Sequence, residues 1–208
     1  MDLTNVDPAT QVTCTITNAA QFCSFTQGAW FAPPRGSNPA AKYLYPLFDA
    51  VWPGDLVVGG ANSIHFESAS NVSAASPGGT PNVLDTGTFT NIKAFVDSKK
   101  ASHTGNSGNF GSQTTALKIN VELGNANAFT PLPGIGSLMF TGLTGPNAYY
   151  NDKTVAQLLI DSEAALGGGG LPAGYTGTVS TLTGFMGDNV NPSWDECRPT
   201  GWALEHYK

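Results

Sequence analysis

Three cysteines, Cys14, Cys23 and Cys197, constrain this chain more than any other feature of its sequence. An odd number leaves either one disulfide and one free thiol, or a bridge to another chain. No C-x-x-C pair is present and the histidines lie far from the cysteines in sequence, so a zinc site is disfavoured. Three reduced cysteines in a cytosolic protein are the alternative to a disulfide-bonded, secreted domain.

Charged residues are scarce. They make up 12% of the 208 residues, about half the usual share for a soluble domain, and Gly, Ser, Thr, Asn and Pro take their place. That composition is common in secreted surface proteins, while 40% hydrophobic residues argue for a real core rather than disorder. A net charge of −6 with scattered basic residues argues against a nucleic-acid partner. No apolar run reaches the roughly 18 residues of a membrane span.

The length fits one domain, and the pattern predicts an α+β fold, with several short helices around one core. A small sheet or strand pair is expected in the N-terminal third, from strands at 56–58 and 63–67 joined through two glycines. The globular domain is expected over 23–197. A strand extension over 1–22 precedes it, with strand-like alternation at 11–17, and a C-terminal tail over 198–208 follows.

Helices are predicted at three places. The first, over 39–51, is expected to be short or kinked because it contains Pro46. The clearest covers 154–166, where Thr154 and Gln157 have the spacing of a capping box and a glycine run ends the helix. Another covers 178–190. Periodicity at 116–123 fits a strand or a helix, and the range 68–111 is typical of a long polar surface excursion that carries one or two helical turns.

The opening motif resembles a group of secreted bacterial surface domains. Segment 23–30 reads Cys-Ser-Phe-Thr-Gln-Gly-Ala-Trp, and the group begins with Cys-x-x-Thr-Gln-Gly-x-Trp. One branch continues with Pro-Pro-Arg-Gly and Asn-Pro, as this chain does at 33–36 and 38–39. Later landmarks agree in order, including Ala-Leu-Lys-Ile-Asn-Val at 116–121 and Thr-Val-Ala-Gln-Leu-Leu at 154–159.

The resemblance implies a helix at 116–123 and a secreted domain without an established reaction or catalytic residues. We expect a disulfide between Cys23 and Cys197, with Cys14–Cys23 as the main alternative, and the role of Cys14 stays open. Within the motif we expect Trp30 to be buried, with Thr26 or Gln27 bonding to backbone.

Candidate catalytic and metal groups favour structural interpretations. The Gly-Asn-Ser-Gly at 105–108 is similar to a protease nucleophile loop, but its mid-chain polar setting favours a flexible loop over a triad with His65 or His103. Carboxylates that could act as a glycosidase pair lie singly, so surface charge is favoured. The EF-hand pattern is absent near the C-terminus, although an oxygen-rich cluster there leaves calcium binding open. Its members are Asp188, Asn189, Asn191, Asp195 and Glu196.

Exposed aromatic residues are the candidates for ligand or partner contact. Trp30 and Trp52 flank the first helix and are expected to be core anchors. Trp202, Tyr149 and Tyr150 are left as possible contact residues.

These patterns favour a non-catalytic extracellular module, structural or adhesive, of a bacterial cell surface or extracellular assembly. It needs no cofactor or metal, and its partner is a second protein copy or a cell-surface polymer. A carbohydrate-binding module is the alternative, and a hydrolase comes third. An exposed aromatic row would favour sugar binding, and convergent carboxylates in a cleft would favour the hydrolase.

Overall fold

The strand pair predicted in the N-terminal third is present in the computed structural model, which describes residues 21–75, 79–85, 89–91 and 107–208. β1 (Leu56–Gly59) and β2 (Ser63–Phe66) are antiparallel, with Val57 opposite His65 and Gly59 opposite Ser63. β3 (Phe89–Asn91) adds to β2 in parallel, which gives the order β1-β2-β3. The fold is therefore α+β, as predicted.

The sheet has one buried face. Its fully buried side chains are Leu56, Val58, Ile64 and Phe66. Because successive strand residues point to opposite faces, Ser63 and His65 lie on the other face with Val57, where Val57 is exposed, His65 is partly exposed and Ser63 is buried. The sheet thus closes one side of the core and presents a polar outer face.

Seven α-helices surround the core within the described residues. They are α1 (Gln27–Phe31), α2 (Ala41–Val51), α3 (Ala69–Ala74), α4 (Gly108–Asn125), α5 (Val155–Ala164), α6 (Val179–Phe185) and α7 (Gly201–His206). α5 and α6 each continue into a π turn, Ala165–Gly169 and Met186–Val190. The helix predicted over 39–51 is α2, which runs through Pro46.

The helix caps follow the sequence signals in part. The Thr154 hydroxyl accepts the Gln157 N–H at 3.1 Å, as a cap of α5 should. The Gln157 side chain donates to Asp161 instead of returning to the cap. The complete capping box lies at α6, between Thr178 and Thr181.

α4 is the central helix and is buried on most of its surface. It settles the ambiguous segment 116–123 as helix. Its N-terminal half is rich in hydroxyls, and Ser112, Thr114 and Thr115 each donate to the carbonyl four residues earlier, at 3.2, 2.9 and 2.8 Å. These bonds satisfy the buried hydroxyls inside the helix, so polar residues can occupy the centre of the fold.

Two predicted boundaries need correction. The excursion expected over 68–111 carries a short helix, α3, as predicted, but Val72 of α3 is fully buried and the last residues of the range begin the buried helix α4, so these parts are not on the surface. The expected tail over 198–208 is docked: Ala203 of α7 is buried, and the backbone of Tyr207 pairs with that of Phe140. Residues 1–20 of the strand extension expected over 1–22, Cys14 among them, and the middle of the excursion lie outside the described residues.

Candidate functional site

The opening motif lies where the two ends of the domain meet. Cys23 and Cys197 form a disulfide with Cα atoms 4.0 Å apart, which confirms the predicted pairing. The Ser24 N–H donates to the Trp194 carbonyl at 3.1 Å, beside the disulfide. The first described residues are thus joined to the last part of the chain by covalent and hydrogen bonds.

The motif residues are structural, as expected. Trp30 is only 1% exposed. The Thr26 hydroxyl accepts the Ala29 N–H at 3.3 Å and caps α1. Gln27 bonds to two side chains of α4 through its amide. The motif therefore fastens α1 to the central helix.

Asn120 of α4 is the centre of this attachment and is fully buried. Its Oδ1 accepts the Phe25 N–H at 2.8 Å and the Trp30 Nε1–H at 3.0 Å. Its Nδ2 donates to the Phe25 carbonyl at 2.9 Å and to Asn191 Oδ1 at 3.2 Å. Both lone pairs and both protons of the amide are used, so the side chain is fully satisfied.

Two members of the oxygen-rich cluster near the C-terminus bond inside the protein. Asn191 is fully buried and donates to the backbone and side chain of Gln113. Asp195 accepts the Thr26 N–H at 3.2 Å, and burial raises the pKa of its carboxyl above the ordinary value. Among the described residues, no three His, Cys, Asp or Glu side chains lie close enough to hold a metal ion.

The three predicted contact residues belong to one aromatic cluster. Tyr149 contacts Tyr150 with ring centroids 5.0 Å apart, Tyr150 stacks on Phe185 at 5.9 Å, and Phe185 contacts Trp202 at 6.0 Å. Tyr150 is fully buried, so it cannot touch a partner directly, which corrects its assignment. Tyr149 and Trp202 remain partly exposed at the two ends of the cluster.

Each exposed end of the cluster already has one ring face covered. The Lys153 ammonium lies 3.4 Å from the centroid of Tyr149. The His206 ring stacks on Trp202 at 4.8 Å, with the two planes 7° apart. These two aromatics do not form an open row of the kind that would favour sugar binding.

Burial perturbs the tyrosines of this cluster. It raises the pKa of Tyr150, with the Asp161 charge adding to the effect, and it raises the pKa of Tyr175 to about 12. Desolvation disfavours the phenolate, since the charged form loses its hydration. Both phenols therefore stay neutral and serve as packing groups at ordinary pH.

Two carboxylates do converge, but on a lysine. Lys118 of α4 lies 2.8 Å from Glu163 and 3.3 Å from Glu122. Burial alone lowers the pKa of Lys118, yet the hydrogen bond and charge of Glu163, helped by Glu122, outweigh it and raise that pKa. Trp52 is buried and donates its indole N–H to Glu122. Both carboxylates are therefore engaged in ion pairs with Lys118.

A polar array on the outer sheet face was not evident from sequence alone. The Ser63 hydroxyl lies 2.9 Å from His65 Nε2, and His65 Nδ1 lies 3.1 Å from Asp55 Oδ2. The register of the hairpin brings these side chains together. Val57 is paired with His65, and Asp55 lies two residues before Val57. Asp55 is therefore a diagonal neighbour of His65 on the same face. By contrast, Ser107 of the protease-like segment is fully buried at the start of α4.

A recess of about 460 Å³ lies beside this sheet. It is lined by Gly60, Ala61, Asn62, Ala164, Gly167, Gly168 and Gly169. One wall is the turn Gly60–Asn62, which leads into Ser63. The other wall is the end of α5 and the π turn that comes after it. The lining carries no charged side chain.

No family model matches the chain, and comparisons with curated proteins and with solved structures gave no match. Among the described residues, no helix combines the length and apolar character that a membrane crossing requires.

Proposed function

We propose that this chain is a secreted structural or adhesive module of a bacterial cell surface or extracellular assembly. Its opening motif resembles secreted bacterial surface domains, and a disulfide persists mainly in oxidising compartments. The sparse charge of the sequence suits contact with a neutral polymer or with a second copy, since like-charged neighbours repel only weakly.

The observation that carries the proposal is the closure of the domain by Cys23–Cys197. The two cysteines are 174 positions apart, so tension between the flanking chain segments passes through the sulfur–sulfur bond. The residues between the two cysteines, which include α1 to α6, do not carry this tension. A module that must stay folded while it is pulled benefits from this arrangement.

Association and polymer binding test the proposal directly. We expect the purified chain to increase in mass with concentration, by light scattering or sedimentation, or to be retained by isolated bacterial surface polymers. Alanine at Tyr149 or Trp202 should weaken this contact, while Tyr45→Ala, a partly exposed aromatic on α2, serves as the matched control. A strict monomer at high concentration that binds no surface polymer would contradict the proposal.

A carbohydrate-binding module is the second candidate, because Tyr149 and Trp202 are partly exposed rings. Their covered faces limit stacking to the opposite side of each ring. A strict monomer that binds a defined sugar, with binding lost in Trp202→Ala, would favour this candidate.

A further inference from the structure

Three side chains on the outer face of the sheet form a continuous hydrogen-bonded chain. Ser63 and His65 are two apart on β2, so they share a face. The Ser63 Oγ lies 2.9 Å from His65 Nε2, and His65 Nδ1 lies 3.1 Å from Asp55 Oδ2. Asp55 immediately precedes β1, which places it diagonally across from His65.

The chemistry of these groups fixes the direction of the hydrogen bonds. An ionised carboxylate only accepts, so Nδ1 of His65 carries the proton that is donated to Asp55. With the proton on Nδ1, Nε2 is the acceptor of the Ser63 hydroxyl proton. This is the order of nucleophile, base and orienting carboxylate found in serine hydrolases of unrelated folds.

We propose that Ser63 is an activated nucleophile and that this site hydrolyses small neutral carboxylic esters. His65 is the general base, and Asp55 is a positioning residue that acts through His65. This activity goes beyond the contact function proposed above and does not depend on it.

The reaction balances with an ester and water as the only reactants. Ser63 Oγ bonds to the ester carbonyl carbon and gives its proton to His65 Nε2. The carbon–oxygen bond to the alcohol then breaks, and the alcohol leaves with that proton. Water next attacks the acyl carbon and gives a proton to Nε2, which returns it to Ser63 Oγ as the carboxylic acid departs.

The surroundings favour a neutral substrate. Val57, directly opposite His65 on the paired strand, is 37% exposed and supplies apolar surface. The turn before Ser63 forms one wall of the uncharged recess of about 460 Å³. Asp55 is the carboxylate that bonds to His65, and its negative charge would repel an anionic ester.

Access to the nucleophile is narrow. Ser63 is 8% exposed, which suits a small ester. Gly59 lies opposite Ser63 in the antiparallel register. A Cβ at position 59 would lie 2.5 Å from the Asn62 carbonyl oxygen and 3.2 Å from the Ser63 Cα, so a side chain there would collide with the strand that carries the nucleophile.

A fluorophosphonate probe tests the nucleophile on the full chain. Ser63 Oγ displaces fluoride from phosphorus, and peptide mass spectrometry locates the adduct. We expect labelling at Ser63 and hydrolysis of p-nitrophenyl butyrate, both lost in Ser63→Ala. His65→Gln should slow both by about 100-fold or more, the usual contribution of a general base. Ser70→Ala removes an exposed serine hydroxyl on α3 and should change neither rate.

The role of Asp55 is tested by a kinetic measurement that a purely structural role would leave unchanged. Asp55→Asn should lower kcat by about 10²–10⁴-fold with little change in KM, because the wrong imidazole tautomer is held. Asp55→Glu retains a carboxylate and should restore part of kcat. Equal melting temperatures of the two variants would separate this effect from unfolding.

Several outcomes overturn the proposal. They are no adduct on Ser63, an adduct formed equally fast in His65→Gln, or labelling without ester turnover. If Ser63→Ala fails to fold, prior labelling of the unmodified chain must still abolish turnover, and persistent turnover overturns the proposal. Association and polymer binding are measured on the same variants, so failure of the esterase leaves the contact function separately testable.

Discussion

Replacing Asn120 with alanine tests whether the opening motif is held by one buried amide. The substitution removes four hydrogen bonds that connect α4 to Phe25, Trp30 and Asn191. The Phe25 N–H and the Trp30 Nε1–H are left as buried donors without that acceptor. Their neighbours are packed, since Phe25 and Trp30 are each 1% exposed.

The magnitude follows from these two donors. Each buried donor that loses its partner costs about 1–3 kcal/mol, so the pair costs about 2–6 kcal/mol before any cavity is counted. Domains of this kind have total stabilities of about 5–15 kcal/mol. Asn120→Ala should therefore shift the urea midpoint far toward lower concentration, measured with the disulfide intact.

A coupled variant sharpens the test. In a Trp30→Phe background only the Phe25 donor remains, so Asn120→Ala should cost about 1–3 kcal/mol less than in the unmodified chain. Asn109→Ala, on the same helix, removes a single partly buried acceptor of Gln27 and should cost about 1 kcal/mol or less. A loss below 1 kcal/mol for Asn120→Ala, or no coupling to Trp30→Phe, would refute the reasoning.

Three further predictions concern the bridge, a close glycine contact and alkaline pH. Replacing Cys23 and Cys197 together by alanine should lower the free energy of unfolding by about 4–5 kcal/mol in urea titrations, because a loop of 174 residues is no longer closed in the unfolded chain; an unchanged value would contradict this. Gly124→Ala would place a Cβ 2.6 Å from the Cα of the facing glycine and should cost about 1–3 kcal/mol, whereas Gly28→Ala meets no atom closer than 4.0 Å and should stay within about 0.5 kcal/mol; equal melting temperatures would argue against the close contact. Burial raises the pKa of Tyr175 to about 12, above the value near 10 in the unfolded chain. The free energy of unfolding should therefore be at its full value below pH 10 and fall as the pH rises toward 12. Tyr175→Phe should reduce that fall, measured as urea midpoints across this pH range.

Local signals predicted much of the fold. The two short strands around a glycine turn became β1 and β2, and Thr154 caps α5 as its spacing indicated. The disulfide pairing and the buried Trp30 also follow the prediction. In each case the deciding information lies within a few residues or in a recognisable motif.

The misjudged segments share a physical cause: their burial depends on contacts with distant parts of the chain. The segment 198–208 has no apolar pattern of its own, yet Ala203 is buried and the backbone of Tyr207 pairs with that of Phe140. Likewise, the array of Ser63, His65 and Asp55 appears only once the strand register is known. A one-residue shift of that register would place His65 on the other face.

The disulfide between the first and last parts of the domain also affects the order in which bonds can form during synthesis. A chain that emerges with its N-terminus first exposes the Cys23 thiol while all residues up to Cys197 are still being made, and Cys14 is only nine positions away. Closing a short loop costs less entropy than closing a long one, so Cys14–Cys23 is the more accessible bond during synthesis. Reaching the native bond from it requires thiolate attack on a disulfide sulfur. We therefore expect oxidative refolding to give more of the Cys23–Cys197 bond when a disulfide isomerase is added than with an oxidant alone.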